Sequence, residues 1–162
     1  METWDILDSN RNKTGRTIAR GEKLKEGEYH LVVHIWPINQ KGKYLIQQRA
    51  DHLDWFPGIW AGTGGSVLVD EESLMAAIRE TDEEIGLKLQ PENLILKFQT
   101  SYKSAFTDIW IIKILDADKL IIKLSPEVKQ TMWASCEMIK QMIKFGIFYD
   151  YGENYFSHIF NE

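Results

Sequence analysis

GSVLVDEESLMAAIRETDEEIGL, residues Gly65–Leu87, is the stretch from which the rest of the chain is read. Apolar residues recur at helical spacing from Ser73 to Ile85, and Gly86 supplies a stop. At about 100° per residue, Leu74, Ala77, Ile78, Thr81 and Ile85 form one stripe about 100° wide, the width of a core-facing helix. Glu80, Glu83 and Glu84 share one face directly beside that stripe, and Glu71 stands in the preceding loop, able to fold back on them. Like charges at i,i+3 and i,i+4 repel, and Glu83 and Glu84 sit in the last turn, where the helix dipole disfavours anions. Two readings of this face stand open. One is a solvated acidic surface. The other is a site for a hard divalent cation, which takes oxygen ligands and reverses both penalties.

The segment resembles the signature of the Nudix hydrolase superfamily (MutT-like): Gly, five residues, Glu, seven residues, then R-E-U-x-E-E-x-G-U, where U is apolar. Gly65, Glu71, Arg79, Glu80, Glu83, Glu84 and Gly86 fill every fixed place. With residue usage of roughly 7% each, chance agreement at one start point is about 10⁻⁸. The resemblance implies an α/β fold, an α/β/α sandwich around a mixed sheet, with the box at 65–87 forming a loop–helix–loop. It implies hydrolysis of a diphosphate linked to another group, with Mg²⁺ or Mn²⁺. On this resemblance Glu83 and Glu84 are direct metal ligands, Glu80 is a further ligand or general base, and the Gly64 carbonyl is an additional ligand. Arg79 orients a box glutamate, Glu71 positions the loop, and Gly65 and Gly86 allow tight backbone. There are departures: Asp70 stands where many members have glycine, Leu68 where many nucleotide pyrophosphatases have an acid, and Thr81 where leucine is usual.

Working outward, Trp4–Asp8 and Thr14–Ala19 flank a turn-rich segment and predict an N-terminal β-hairpin. Leu31–Ile38 predicts a buried strand that ends at Pro37 or lies at an edge, since proline cannot donate to a ladder. Lys43–Arg49 returns. Asp51–Gly65 has no period and carries Trp55, Phe56 and Trp60. Beyond the box, Leu94–Tyr102 and Thr107–Leu115 predict strands, as do Leu120–Leu124 and Thr131–Ala134, and Glu137–Phe145 predicts a helix. The aromatic C-terminal stretch, Phe148 to Phe160, has no assignable period.

The hairpin, the His-bearing strand and the Gln-x-Arg that follows are similar to isopentenyl-diphosphate isomerases and to hydrolases sharing their N-terminal extension. The isomerase uses a cysteine just before its box-like helix. Here Ala61–Ser66 has no thiol, and the single cysteine, Cys136, is expected to be a small core residue. The hydrolase reading therefore leads, with an isomerase-like enzyme or a non-catalytic Nudix-fold nucleotide-binding module as alternatives. Arg49 can meet a substrate phosphate or a surface carboxylate. Trp55, Phe56 and Trp60 can stack on a flat group or cover core. His30 and His34 are expected as core histidines. Glu127 is either an acid completing the site, an alternative to Glu80 as the base, or a solvated loop residue.

The 162 residues carry 19 Lys+Arg against 24 Asp+Glu, a net charge of −5. That balance argues against nucleic-acid backbone binding, which needs clustered cations. One cysteine excludes a disulfide framework and a multi-thiolate metal site. No apolar run reaches the ~18 residues of a membrane span, and Met1–Asp8 lacks the features of a signal peptide. The expectation is one domain over 1–162, with a hairpin extension at 1–28, cytoplasmic, acting on a small-molecule diphosphate, with no nucleic acid or membrane partner; a homodimer is left open.

Overall fold

Strand β3 (His30–Asn39) is the axis of the molecule. The computed structural model describes residues 1–160. Around β3 lies a mixed seven-stranded sheet with the central order β5-β4-β3-β8-β7. Its members are β4 (Tyr44–Arg49), β5 (Trp60–Ala61), β6 (Thr63–Ser66), β7 (Leu94–Tyr102), β8 (Ala105–Ile114) and β9 (Val128–Ala134). β3 and β8 run parallel, whereas β6 pairs antiparallel with β3, and β9 with β4. β1 (Thr3–Leu7) and β2 (Lys13–Ala19) form the separate hairpin that the turn-rich residues between them predict.

The pleat sorts side chains to two apolar layers. Val33, Ile35, Leu45 and Ile112 face α1 (Ser73–Ile85) and meet Ala76, Ala77 and Ile85 there. Trp36, Ile46, Ile109 and Ile111 face α2 (Cys136–Lys144) and α3 (Glu153–Phe160), and meet Ile139, Met142, Phe156 and Ile159. This is the sandwich of helices about a mixed sheet. Thr81, in the place usually apolar, is fully buried because its hydroxyl donates to the Ala77 carbonyl one turn back, 2.7 Å away. Cys136 packs against the second layer, as expected of a small core residue.

Three sequence expectations are corrected. β3 neither ends at Pro37 nor lies at an edge. β6 pairs with Val32–Ile35 and β4 takes over at Ile38, so Pro37 falls where the ladder changes partner. Leu120–Leu124 forms no strand. Its neighbourhood caps α1 instead, with Lys123 N–H on the Ile85 carbonyl and Ser125 N–H on the Glu84 carbonyl. The aperiodic Asp51–Gly65 ends in two short strands, β5 and β6, whose glycines hide the alternation. The C-terminal aromatic run becomes α3, with Tyr155, Phe156 and Ile159 buried.

Candidate active site

β6 and α1 bring the box residues together. Gly64 and Gly65 lie on β6, against β3 on one side and α1 on the other. A Cβ at Gly65 would run into the Glu80 carboxylate, and one at Gly64 into the Val33 carbonyl and His34. At Gly64 the obstacle is backbone, so glycine is required there by close approach alone; at Gly65 the Glu80 carboxylate would have to move. Gly86 closes α1 with φ +67°, a left-handed cap that glycine adopts without strain.

Arg79 organises the acids. Its Nε and Nη2 grip both oxygens of Glu71 at 2.8 and 2.9 Å, a two-pronged pair matched to the planar guanidinium. Nη2 also reaches the Ser66 carbonyl at 3.1 Å, which ties α1 to β6. Nη1 takes Glu80 at 2.7 Å and Glu83 at 3.1 Å. Glu71, further held by Leu68 N–H, stays ionised: burial pushes its pKa up, but Arg79 and that amide bring it below the usual value. Glu80 is pushed the other way by burial, only partly offset by Arg79.

Glu84 is the most perturbed acid of the group. Burial, with the charges of Glu80 and Glu127 adding to it, pushes its pKa up to about 8. Its partners are neutral: Gln47 Nε2 at 2.8 Å and Gly64 N–H at 3.3 Å. The Gln47 Oε1 beside it is buried without a partner. Among the described residues no three acidic, His or Cys side chains form a ready-made cage for an ion, and Arg79 holds Glu80 and Glu83. The groups that can offer oxygen to a hard cation are the carboxylates of Glu80, Glu83 and Glu84 and the Gly64 carbonyl. A part-buried carboxylate lacking a cationic partner, next to an orphaned amide oxygen, fits such an ion.

Of these groups, Glu84 and Gly64 line a cleft of about 1040 Å³, together with Gly65 and Gln47, while Glu80 and Glu83 stand outside its wall. Arg49, Trp55 and Phe56 line it too, so the structure brings these expected substrate contacts to the same space. Arg49 is tied through Nε to the Trp55 carbonyl, and the Phe56 ring meets Tyr149 edge-on at 5.0 Å. Phe56 holds φ +48°, uncommon for an aromatic residue. Trp60 is different: its ring packs against the α2/α3 apolar layer, while its backbone pairs with Ile147 and Tyr149. Glu127 is exposed; it does not line the cleft and reaches Glu84 only through its charge. His30 stacks on Trp4. His34, expected in the core, lines the cleft, as do Tyr149, Tyr151 and Tyr155. Nothing in the sequence marked these tyrosines, because their place depends on how the C-terminal segment folds back.

The NUDIX domain family matches residues 28–151 of the chain. An uncharacterised Nudix hydrolase of Listeria innocua is 37% identical over 153 residues, covering 93% of this chain and 90% of that protein. A second, from Listeria monocytogenes, is 42% identical over 113 residues, covering 69% of this chain and 67% of the relative. Among solved structures, DR0079 from Deinococcus radiodurans superposes with a TM-score of 0.76 at 18% identity, covering 90% of this chain and 91% of that one. That last likeness shows the fold alone.

Proposed function

Because the chain belongs to the Nudix family and is a pyrophosphohydrolase, we propose that it cleaves the diphosphate linkage of a nucleoside diphosphate derivative or similar organic diphosphate, using Mg²⁺ or Mn²⁺ at the α1 glutamates. The observation that carries this reading is Glu84, a part-buried carboxylate with neutral partners on the wall of a cleft large enough for a nucleotide. When bound, the cation polarises the phosphoryl oxygens, lowers the pKa of a bound water and offsets charge on the leaving group.

The chain's own groups supply the rest. Glu83 and Glu84, with Glu80 and the Gly64 carbonyl, hold the ion. Arg79 fixes Glu80 and Glu83 on one side and Glu71 on the other, so the loop entering α1 cannot drift from the acids. Glu80 is better placed than Glu127 to accept a proton from water, since it lies against Gly65 while Glu127 faces solvent. On the same cleft, Arg49 meets phosphate, and Phe56 with Tyr149 offers ring surface for a base or another flat group. Cys136, on the first turn of α2, is not on the cleft, so no thiol is available for isomerase chemistry there.

The test is phosphate or nucleotide release from ADP, ADP-ribose, UDP-glucose and isopentenyl diphosphate, each with Mg²⁺ and with Mn²⁺. Turnover of at least one organic diphosphate is expected. No turnover of any, in either metal, contradicts the reading.

A further inference from the structure

Trp36, Tyr155 and His34 form a chain of hydrogen bonds that the box does not explain. Trp36 Nε1–H donates to the Tyr155 hydroxyl at 2.9 Å, and that hydroxyl lies 2.7 Å from His34 Nδ1. Trp36 and Tyr155 are buried. An indole nitrogen can only donate, so the tyrosine oxygen is the acceptor in the first bond. The hydroxyl has one proton of its own, and His34 Nδ1 is its only other polar partner among the described residues. If Nδ1 also carried a proton, the Tyr155 O–H would be buried without an acceptor. Nδ1 is therefore the acceptor, the ring is neutral, and its proton is on Nε2.

Nε2 has no partner among the described residues. It is also not one of the enclosed polar atoms left unpartnered in the fold, which are Trp4 Nε1, His30 Nδ1 and Gln47 Oε1. It is therefore not sealed off, and His34 lines the cleft together with Gly64, Gln47 and Glu84. His34 stands opposite Gly64 in the β3–β6 ladder, and its Cδ2, the carbon bonded to Nε2, crowds the place a Gly64 side chain would take. We propose that His34 Nε2–H is a substrate-binding hydrogen-bond donor aimed at the diphosphate held beside Gly64 and Glu84, and that Tyr155, acting through His34, is the residue that fixes its tautomer. A neutral donor suits this place, since it meets phosphate oxygen without adding a cation to compete with a bound metal. The inference rests on the diphosphate reading above, and it links α3 to the chemistry of a box more than sixty residues away.

Two measurements test it. The first is the ¹⁵N spectrum of the histidine rings in the wild-type protein. His34 is expected with a protonated Nε2 and a bare Nδ1, and a proton on Nδ1 overturns the inference whatever the activity. The second is kinetic, with Mg²⁺ and whichever of ADP, ADP-ribose, UDP-glucose and isopentenyl diphosphate the wild type cleaves fastest. The amide nitrogen of glutamine can overlie Nε2, whereas that of asparagine overlies Nδ1. His34→Gln should retain at least about tenfold more kcat/KM than His34→Asn, which places no donor at Nε2. Tyr155→Phe should lower kcat/KM in the wild-type background but not on His34→Gln, which has no tautomer to fix. Equal kcat/KM for the two His34 variants, or a Tyr155→Phe loss that persists on His34→Gln, sinks the proposal. If the wild type cleaves none of the four, the functional reading fails instead, and the ring spectrum still decides the tautomer.

Discussion

Gln47 Nε2 donates to Glu84 Oε2 at 2.8 Å, giving a part-buried carboxylate an uncharged partner. The arrangement favours the protonated form of Glu84 in the metal-free fold, since burial pushes its pKa up. The same side chain reaches the Gly62 carbonyl at 3.1 Å, so β4 holds the β5–β6 turn and the end of α1 through one amide.

The titration of Glu84 has a sign that can be measured. Its pKa stands at about 8 in the fold, against a model-compound value of 4.5. Between those values the folded state holds a proton that the unfolded chain releases, so stability without metal falls as pH rises through that window. Glu84→Gln removes this dependence. The melting temperature of the variant minus that of wild type, both in chelator, should rise from pH 5 to pH 8.5, at about 2–4 °C per kcal/mol for a chain of this size. A difference that is flat with pH contradicts the burial of an uncompensated carboxylate.

A bound cation should act in the opposite direction on wild type. An ion that binds the fold and not the dispersed carboxylates of the unfolded chain adds about 1.4 kcal/mol at ten times Kd, or about 3–6 °C in Tm. Mg²⁺ should produce this upshift beyond that of NaCl at equal ionic strength, and Glu84→Gln should largely abolish it. If wild-type curves coincide in the two salts, the acidic face is a solvated one.

The box was legible in the sequence because its information is local. The period of Leu74–Ile85 and the stop at Gly86 need no distant partner, and α1 spans Ser73–Ile85. The spacing likewise put Glu80, Glu83 and Glu84 on one face, where Arg79 meets two of them. What the sequence hid depends on pairs far apart in the chain. His34 reads as a core strand residue until Tyr155, on α3, is folded beside it. Trp60 reads like Trp55 until its backbone is paired between Ile147 and Tyr149. Leu120–Leu124 has the composition of a strand, yet its amides serve the end of α1, and no local pattern encodes that.

Asp70 shows how the chain accommodates a departure from the box pattern. It occupies the left-handed region at φ +61°, which explains why glycine is usual there. Its N–H donates to Asp5 Oδ2 at 3.0 Å, and Lys13 pairs with Asp5 at 2.9 Å, so the N-terminal hairpin braces this turn. Asp70→Gly should leave Tm unchanged or raised. Asp70→Val should lower it by about 2–8 °C, since a β-branched residue in this region costs about 1–2 kcal/mol or more. Equal thermal melts for the two variants would contradict the backbone assignment.

The most direct test of metal-assisted diphosphate hydrolysis at α1 is turnover of the best substrate by wild type, Glu83→Gln and Glu84→Gln, each with Mg²⁺ and with excess chelator. Replacing a ligand carboxylate by its neutral isostere keeps the shape and weakens the hold on the ion. Wild type should be active only with the cation, and both variants should fall in kcat by about 10²-fold or more, by loss of the metal's contribution to the transition state. Full activity of either the variants or the chelated wild type would contradict the account.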